Sequence, residues 1–228
     1  MFKNILFTVV GLLIGLIVGF FAANSLNRQA LVQNQTTASA TDKTATSLDH
    51  GMPDKSAIQN GAMPEIAAKM EKAKNEPNNF EAQMEVGDLY SQIGRYDEAV
   101  KYYQAGIKLQ PNNFQANVVL ANVYFDTKQY EEAEKYYAKA LEINPKDVNS
   151  RTDLATTLVE RPNPQFDRAI AEFKKSLELE PKHEPTIYNL GVAYFKKGDK
   201  ENAKKMLAQL EQANPNSTLI ERMKKAVQ

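Results

Sequence analysis

Few residues of this chain have the chemistry that catalysis or metal binding requires. There is no cysteine, which excludes disulfides, thiolate metal sites and a cysteine nucleophile. Only His50 and His183 could titrate near neutral pH. His50 stands between Asp49 and Asp54 in a polar stretch and is expected to be solvated, and His183 to lie in a surface loop. No glycine-rich phosphate loop, paired histidines or nucleophile elbow occurs, so we expect neither an enzyme nor a bound cofactor or metal.

The charges narrow the possible partners further. Basic and acidic residues number 28 each, so no field that would attract nucleic acid is expected. Aspartate and glutamate are interleaved with lysine, as on solvent-facing helices. The remaining chemistry is recognition by amides, hydroxyls and aromatic rings, and it depends on the helices that position these groups.

Residues 114–147 show what kind of element positions them. Apolar residues recur there at three- and four-residue steps in two stretches, which predicts two amphipathic helices joined by a short polar turn. Pro145 lacks a backbone donor and ends the second helix. The spaced residues are Val118, Leu120, Ala121, Tyr124 and Phe125, then Tyr130, Ala133, Tyr136, Tyr137, Ala140 and Leu141. A single hairpin of this length cannot bury its apolar faces, so we expect similar neighbours.

The same pattern occurs four times, at spacings of 34, 34 and 36 residues. Small residues recur where two helix backbones approach, and large residues recur one turn later, where they fill the gap. The recurring sets are Gly87, Ala121, Ala155 and Gly191; Tyr90, Tyr124, Leu158 and Tyr194; Ala99, Ala133, Ala169 and Ala203; and Pro111, Pro145, Pro181 and Pro215. This arrangement resembles the tetratricopeptide repeat (TPR) family over residues 80–217. The fourth position departs from the family's aromatic residue, since it holds Gln83, Asn117, Arg151 and Ile187.

The resemblance implies an all-α fold, a right-handed superhelical solenoid of about four helical hairpins with N- and C-terminal capping helices. We expect the TPR domain over residues 64–228. It would comprise a half-repeat at 64–79, repeats at 80–113, 114–147, 148–183 and 184–217, and a capping helix at 218–228. The third repeat is longer by two residues in the turn 161–164. This excess is either a contact point or a tolerated loop variation.

The residues before the repeats differ in composition. Residues 5–23 form an apolar run of 19 residues without a charge, nearly long enough for the ~30 Å core of a bilayer. We expect an uncleaved transmembrane helix within residues 1–27, with a cleaved signal peptide as the alternative. Residues 28–63 are rich in polar and small residues, which predicts a flexible, disordered linker.

The apolar run also suggests self-association and an orientation. Gly11, Gly15 and Gly19 lie four residues apart, a spacing that lets two transmembrane helices approach as a homodimer, although glycine is frequent in such helices in any case. Lys3 before the run and Arg28 after it nearly balance under the positive-inside rule. A short N-terminal tail with a lysine is typical of a signal-anchor. We therefore expect a cytoplasmic N-terminus and a periplasmic or extracytoplasmic TPR domain.

The resemblance further implies a partner-binding groove. In TPR proteins the first helix of each repeat lines the concave side, and certain positions of that helix contact the ligand. Carried onto this sequence, those positions are Met84, Asp88, Gln92, Val118, Asn122, Phe125, Asp126, Asn149, Thr152, Thr156, Glu160, Tyr188, Val192, Phe195 and Lys196. Such a mixture suits an extended or helical peptide. The family's carboxylate clamp is not expected, because Val118 stands where its lysine should be and Thr152 offers no cation.

We therefore expect a membrane-anchored interaction scaffold that binds peptides or proteins in this groove. It is similar to the anchored repeat proteins of bacterial envelopes, some of which hold client chains during assembly or maturation. Two alternatives remain. One is a homo-oligomeric structural membrane module, and the other is an accessory subunit of an enzyme complex such as one for cytochrome maturation.

Overall fold

The computed structural model describes residues 64–227, which form ten α-helices and no β-strand. In chain order the helices are α1 (Pro64–Asn75), α2 (Phe80–Gln92), α3 (Tyr96–Leu109), α4 (Phe114–Asp126), α5 (Tyr130–Ile143), α6 (Val148–Glu160), α7 (Phe166–Leu179), α8 (Glu184–Lys197), α9 (Lys200–Ala213) and α10 (Leu219–Ala226).

Eight of these helices pair into four hairpins: α2 with α3, α4 with α5, α6 with α7, and α8 with α9. The second helix of each hairpin also packs against the first helix of the next. At the ends, α1 packs against α2, and α10 packs against α8 and α9. Each hairpin thus buries its apolar faces against its neighbours, as in a solenoid. The prediction of an all-α solenoid of four hairpins is confirmed, and the hand of the superhelix stays a prediction.

Three of the four hairpins begin with a side-chain cap. The side-chain oxygens of Asn79, Asn113 and Asp147 accept hydrogen bonds from the backbone N–H three residues later, at 3.1, 3.0 and 2.7 Å. Each bond satisfies a donor that the first turn of a helix has no internal partner for. The fourth hairpin has His183 at this place, and its side chain makes no such cap. The start of most repeats is therefore specified locally.

The turn inside each hairpin requires a left-handed backbone in three of the four repeats. Gly94, Lys128 and Gly198 have φ angles of 73°, 60° and 93°, and the N–H of the next residue bonds the carbonyl five residues earlier. The third repeat has Pro162 at the equivalent position, where the proline ring holds φ near roughly −65°. Two extra residues resolve this conflict. The closing bond then forms from Gln165 to a carbonyl seven residues earlier, at 2.9 Å.

The lengthened turn also joins two hairpins. Arg161 folds back onto α5, where its guanidinium donates to Glu131 and Glu134, both at 2.8 Å. Glu134 also accepts from Arg168 of α7 at 2.8 Å. The arginines on either side of the extra residues therefore tie the second hairpin to the third, and the role of the extra residues themselves stays a prediction.

Small residues mark the close approach of the two helices of a hairpin. All four, Gly87, Ala121, Ala155 and Gly191, are buried. A Cβ atom at Gly87 would lie 2.6 Å from two ring carbons of Tyr103 on α3, closer than packing allows. One turn later the rings of Tyr90 and Tyr102 stack with centroids 5.5 Å apart. The small and large residues therefore have the complementary roles that their spacing predicted.

The fourth position, where the sequence departs from the family pattern, has a different function in this chain. The Gln83 amide donates to the Ala73 carbonyl of α1 at 2.8 Å. The Asn117 amide donates to the Pro111 carbonyl at 3.2 Å, and the Arg151 guanidinium to the carbonyl of Pro145 at 2.6 Å. These bonds satisfy carbonyls of the segment before the helix, so polar anchoring replaces aromatic packing at three of the four positions.

The predicted anchor (5–23), its glycine stripe and the linker (28–63) lie outside the described residues. Within residues 64–227, no helix is both long and apolar enough to cross a membrane.

Candidate functional site

The side chains predicted to contact a partner lie on the first helices of the four hairpins, α2, α4, α6 and α8. We call them the groove set. Direct side-chain contacts join α6 to α8, namely Thr152 to Thr186 at 2.6 Å, Asn189 to Thr156 at 3.3 Å, and Lys196 to Glu160 at 2.6 Å. The third and fourth hairpins therefore present neighbouring parts of one surface.

Two polar members of the groove set are bound within their own hairpins. The Tyr103 hydroxyl donates to Asp88 Oδ1 at 2.6 Å, and the Tyr137 hydroxyl donates to Asn122 Oδ1 at 2.6 Å. Burial raises the pKa of the Asp88 carboxyl; the bond from Tyr103 opposes this effect, and the charge of Glu85 adds to it. Burial and the nearby carboxylate also raise the pKa of Tyr103. Both acceptors thus fasten a first helix to a second helix.

The other two repeats show that these pairs are coupled. At the equivalent places the third hairpin has Thr156 and Phe173, and the fourth has Val192 and Leu207. Where the tyrosine hydroxyl is missing, the carboxylate or amide acceptor is missing as well. Comparison of the ninth position of each repeat with its second helix could have revealed this pairing from the sequence.

Thr152 does not reach the groove surface. Its side chain is 2% exposed, and its hydroxyl donates to the Val148 carbonyl at 2.8 Å and meets the Thr186 hydroxyl at 2.6 Å. Thr186 in turn contacts His183 Nδ1 at 2.7 Å. The prediction that Thr152 contacts a partner is therefore wrong, because its side chain lies in the junction of α6 and α8.

His183 lies in the loop before α8, as predicted, but it is less exposed than a surface position would be. Its ring is half-buried at the start of α8, bonded to a threonine that is itself fully buried. Burial lowers its pKa, against the opposing charges of Glu180, Asp147 and Glu184. The ring therefore belongs to the polar junction between the third and fourth hairpins.

The aromatic members of the groove set are partly buried. Phe125 meets the first tyrosine of α5 edge to face, with ring centroids 5.8 Å apart. The Lys200 ammonium lies 5.9 Å from the Phe195 ring centroid, and the Arg222 guanidinium carbon lies 5.4 Å from that of Tyr188. Because all three rings also pack against the core, each can offer only part of its surface to a ligand.

Two valines stand apart from this packing. Val118 and Val192 are half-buried, and neither belongs to an apolar cluster of the described residues. Met84, by contrast, packs against the core, and its sulfur would lie 2.7 Å from a Cβ atom at Gly106. The valines are therefore the apolar groove residues that lie outside these clusters and keep part of their surface exposed.

The exposed members of the groove set are polar: Gln92, Asp126, Asn149, Glu160 and Lys196. Charge is also distributed unevenly along the stack. Residues 64–147 hold fourteen acidic and ten basic residues, whereas residues 184–228 hold five acidic and eight basic ones. The N-terminal part of the stack is therefore net acidic and its C-terminal part net basic.

Comparison with known proteins agrees with this architecture. Two family models described as tetratricopeptide repeat match residues 65–112 and 84–148 for one, and 163–227 for the other. No curated protein matches the chain.

Solved structures titled MamA are similar in fold. A crystal structure of MamA protein is 21% identical with a TM-score of 0.62, over 72% of this chain and 88% of that one. A structure of MamA residues 41-end from Desulfovibrio magneticus RS-1 is 22% identical with a TM-score of 0.63, over 71% and 91%. A structure titled MamA MSR-1 C2 is 24% identical with a TM-score of 0.57, over 73% and 92%. At these identities the similarity concerns the fold.

Proposed function

The chain belongs to the tetratricopeptide repeat family, and from this premise we propose that its groove binds peptide segments of protein partners. Folds of this kind serve as protein-interaction scaffolds. We assign this chain the function of a scaffold without catalysis.

One observation carries this proposal. Val118 on α4 and Val192 on α8 are half-buried, belong to none of the apolar clusters of the described residues, and keep part of their apolar surface exposed. The exposed Asn149 amide lies on α6, which is the first helix of the third hairpin and follows α4 and precedes α8 among the first helices. An extended peptide could place an apolar side chain on each valine and bond the amide between them. Partly exposed rings such as Phe125 would add contact area.

This proposal can be tested by selecting random peptides on the full chain and on a Val118→Gln, Val192→Gln variant. Each substitution replaces apolar contact with a polar side chain, so we expect the selected peptides to lose affinity by about tenfold for each valine. Leu179→Gln is the matched control, because Leu179 on α7 is 42% exposed and lies outside the groove set. It should leave capture unchanged. If the wild-type chain captures no peptide, or if the valine variant captures normally, the groove proposal fails.

We further propose that the scaffold is anchored in a membrane through residues 5–23, with its repeats outside the cytoplasm. The apolar length of that run supports the anchor, and the short N-terminal tail with its lysine supports the orientation. A role in envelope assembly or maturation would follow from that location. Protease added to spheroplasts should digest the repeats while a cytoplasmic marker stays intact. Protection would refute the orientation, and release of soluble repeats would refute the anchor.

Self-association through Gly11, Gly15 and Gly19 is part of the same proposal. Gly15→Leu would separate two closely packed transmembrane helices, so it should abolish cross-linked homodimers, whereas Leu13→Ile, outside the stripe, should preserve them. Dimers that persist in Gly15→Leu would rule out this helix contact.

A further inference from the structure

Residues 64–227 contain five arginines, and four of them form ion pairs. These pairs are Arg95 with Glu98, Arg151 with Glu172, Arg161 with Glu131 and Glu134, and Arg168 with Glu134. Arg222, on α10, is exposed, and it has no carboxylate partner among the described residues. Its contact is with an aromatic ring of the groove set.

The position of Arg222 extends the groove. It lies 34 residues after Tyr188, which is the equivalent place in an incomplete fifth repeat. The buried side chains of α10 are those of Leu219, Ile220 and Met223, and they fix the backbone of α10 against the fourth hairpin. The guanidinium carbon lies 5.4 Å from the Tyr188 ring centroid, a distance at which the ring attracts the cation and restricts its conformations. Less conformational entropy is then lost when a ligand binds it.

The chemistry of this group selects an anion of a particular shape. A guanidinium offers parallel N–H donors that match the two oxygens of a carboxylate, which a lysine ammonium cannot do. Val192 and Phe195 lie on α8, one and two turns after Tyr188, and expose apolar surface beside it. A ligand there would meet a cation and an apolar surface together.

We propose that Arg222, supported by Tyr188, binds a carboxylate of the peptide ligand, next to a ligand side chain that packs on Val192. This inference rests on the proposed groove function and assigns the chemistry of its C-terminal end. Residues 184–228 have more basic than acidic residues, and residues 64–147 have more acidic than basic ones. This distribution would also favour a ligand whose carboxylate lies at the C-terminal end of the stack. The carboxylate is that of an aspartate or glutamate side chain of the ligand, not the C-terminus that the family's carboxylate clamp holds.

The experiment uses the full chain and two pools of random peptides, one with free C-termini and one amidated. Peptides selected by the wild type should be enriched in aspartate or glutamate in both pools, whereas a requirement for the free C-terminus would overturn the assignment. Arg222→Gln should weaken the binding of such peptides by about tenfold or more. Arg222→Lys should restore only part of the loss, because it keeps the charge without the paired donors.

Lys225→Gln is the matched control, since it removes the same charge from an exposed side chain of the same helix. It should bind the selected peptides within about twofold of the wild type, as expected of a distant, screened charge. Equal losses in Lys225→Gln and Arg222→Gln, or selected peptides without any carboxylate preference, would overturn the inference. Capture that depends on the two valines but not on Arg222 would overturn it while leaving the groove proposal intact.

Discussion

Removing the Tyr137 hydroxyl should test whether Asn122 fastens a hairpin or serves a ligand. Tyr137 is 1% exposed, and its hydroxyl lies 2.6 Å from Asn122 Oδ1. A neutral hydrogen bond of this kind contributes about 0.5–1.5 kcal/mol to stability. Because Asn122 is half-buried, part of the lost bond would be replaced by water. We therefore expect Tyr137→Phe to lower the free energy of unfolding by about 1 kcal/mol.

The third repeat supplies the compensating substitution. It has Thr156 and Phe173 at the places of Asn122 and Tyr137, so the double variant Asn122→Thr, Tyr137→Phe reproduces a pair that this fold already contains. Once Asn122 is gone, removing the hydroxyl should cost little. The coupling energy between the two substitutions should therefore be about 1 kcal/mol.

The assay is urea unfolding of the full chain, followed by helical circular dichroism, with the four proteins of the cycle compared at equal slope. Tyr136→Phe is the control, because it makes the same change one residue earlier and none of the described residues bonds its hydroxyl. It should change stability by less than about 0.5 kcal/mol. Additive single effects, with a coupling energy below about 0.3 kcal/mol, would refute the reasoning. A double variant that folds but no longer captures peptides would return Asn122 to the ligand contacts.

Two further predictions concern stability. Folding raises the pKa of Asp88, so this carboxyl favours the native state at low pH and loses that contribution as the pH rises through its folded pKa. Asp88→Asn copies the second repeat and should raise the unfolding midpoint at neutral pH, with a gain that disappears below pH 3.8; a gain independent of pH would contradict this. Lys128→Gly should stabilise the chain by about 0.5–1 kcal/mol, because Lys128 has a left-handed backbone at φ 60°. In contrast, Lys101→Gly within α3 should destabilise it by about 1 kcal/mol, and equal losses in chemical denaturation would refute the explanation.

Most of the fold could be predicted from the sequence because its signals are local. Asn79, Asn113 and Asp147 mark helix starts through bonds that span three residues. A proline follows the second helix of every repeat, and apolar residues return at helical spacing between these signals. Four copies in register then leave stacking as the way to bury their faces. The predictions for residues 1–63 rest on the same kind of local pattern and stay predictions.

The candidate site was only partly predictable. Repeat position correctly placed its members on the first helices, but it could not distinguish Thr152, buried against Thr186, from Asn149, exposed three residues earlier. The repeat positions were carried over only as far as residue 217, so they did not include Arg222, which stands 34 residues after Tyr188.

The sequence by itself therefore determined which helices form, where they turn and in what order they stack, since each of these depends on residues close in the chain. Only the tertiary structure decided which polar side chains are already bound and which remain available. Asp88 and Asn122 accept hydrogen bonds from tyrosine hydroxyls fifteen positions away. Arg222, in contrast, contacts a ring 34 positions away and pairs with no carboxylate of the described residues. Such pairings depend on the separation and rotamers of side chains from different helices, and helical periodicity carries no information about either.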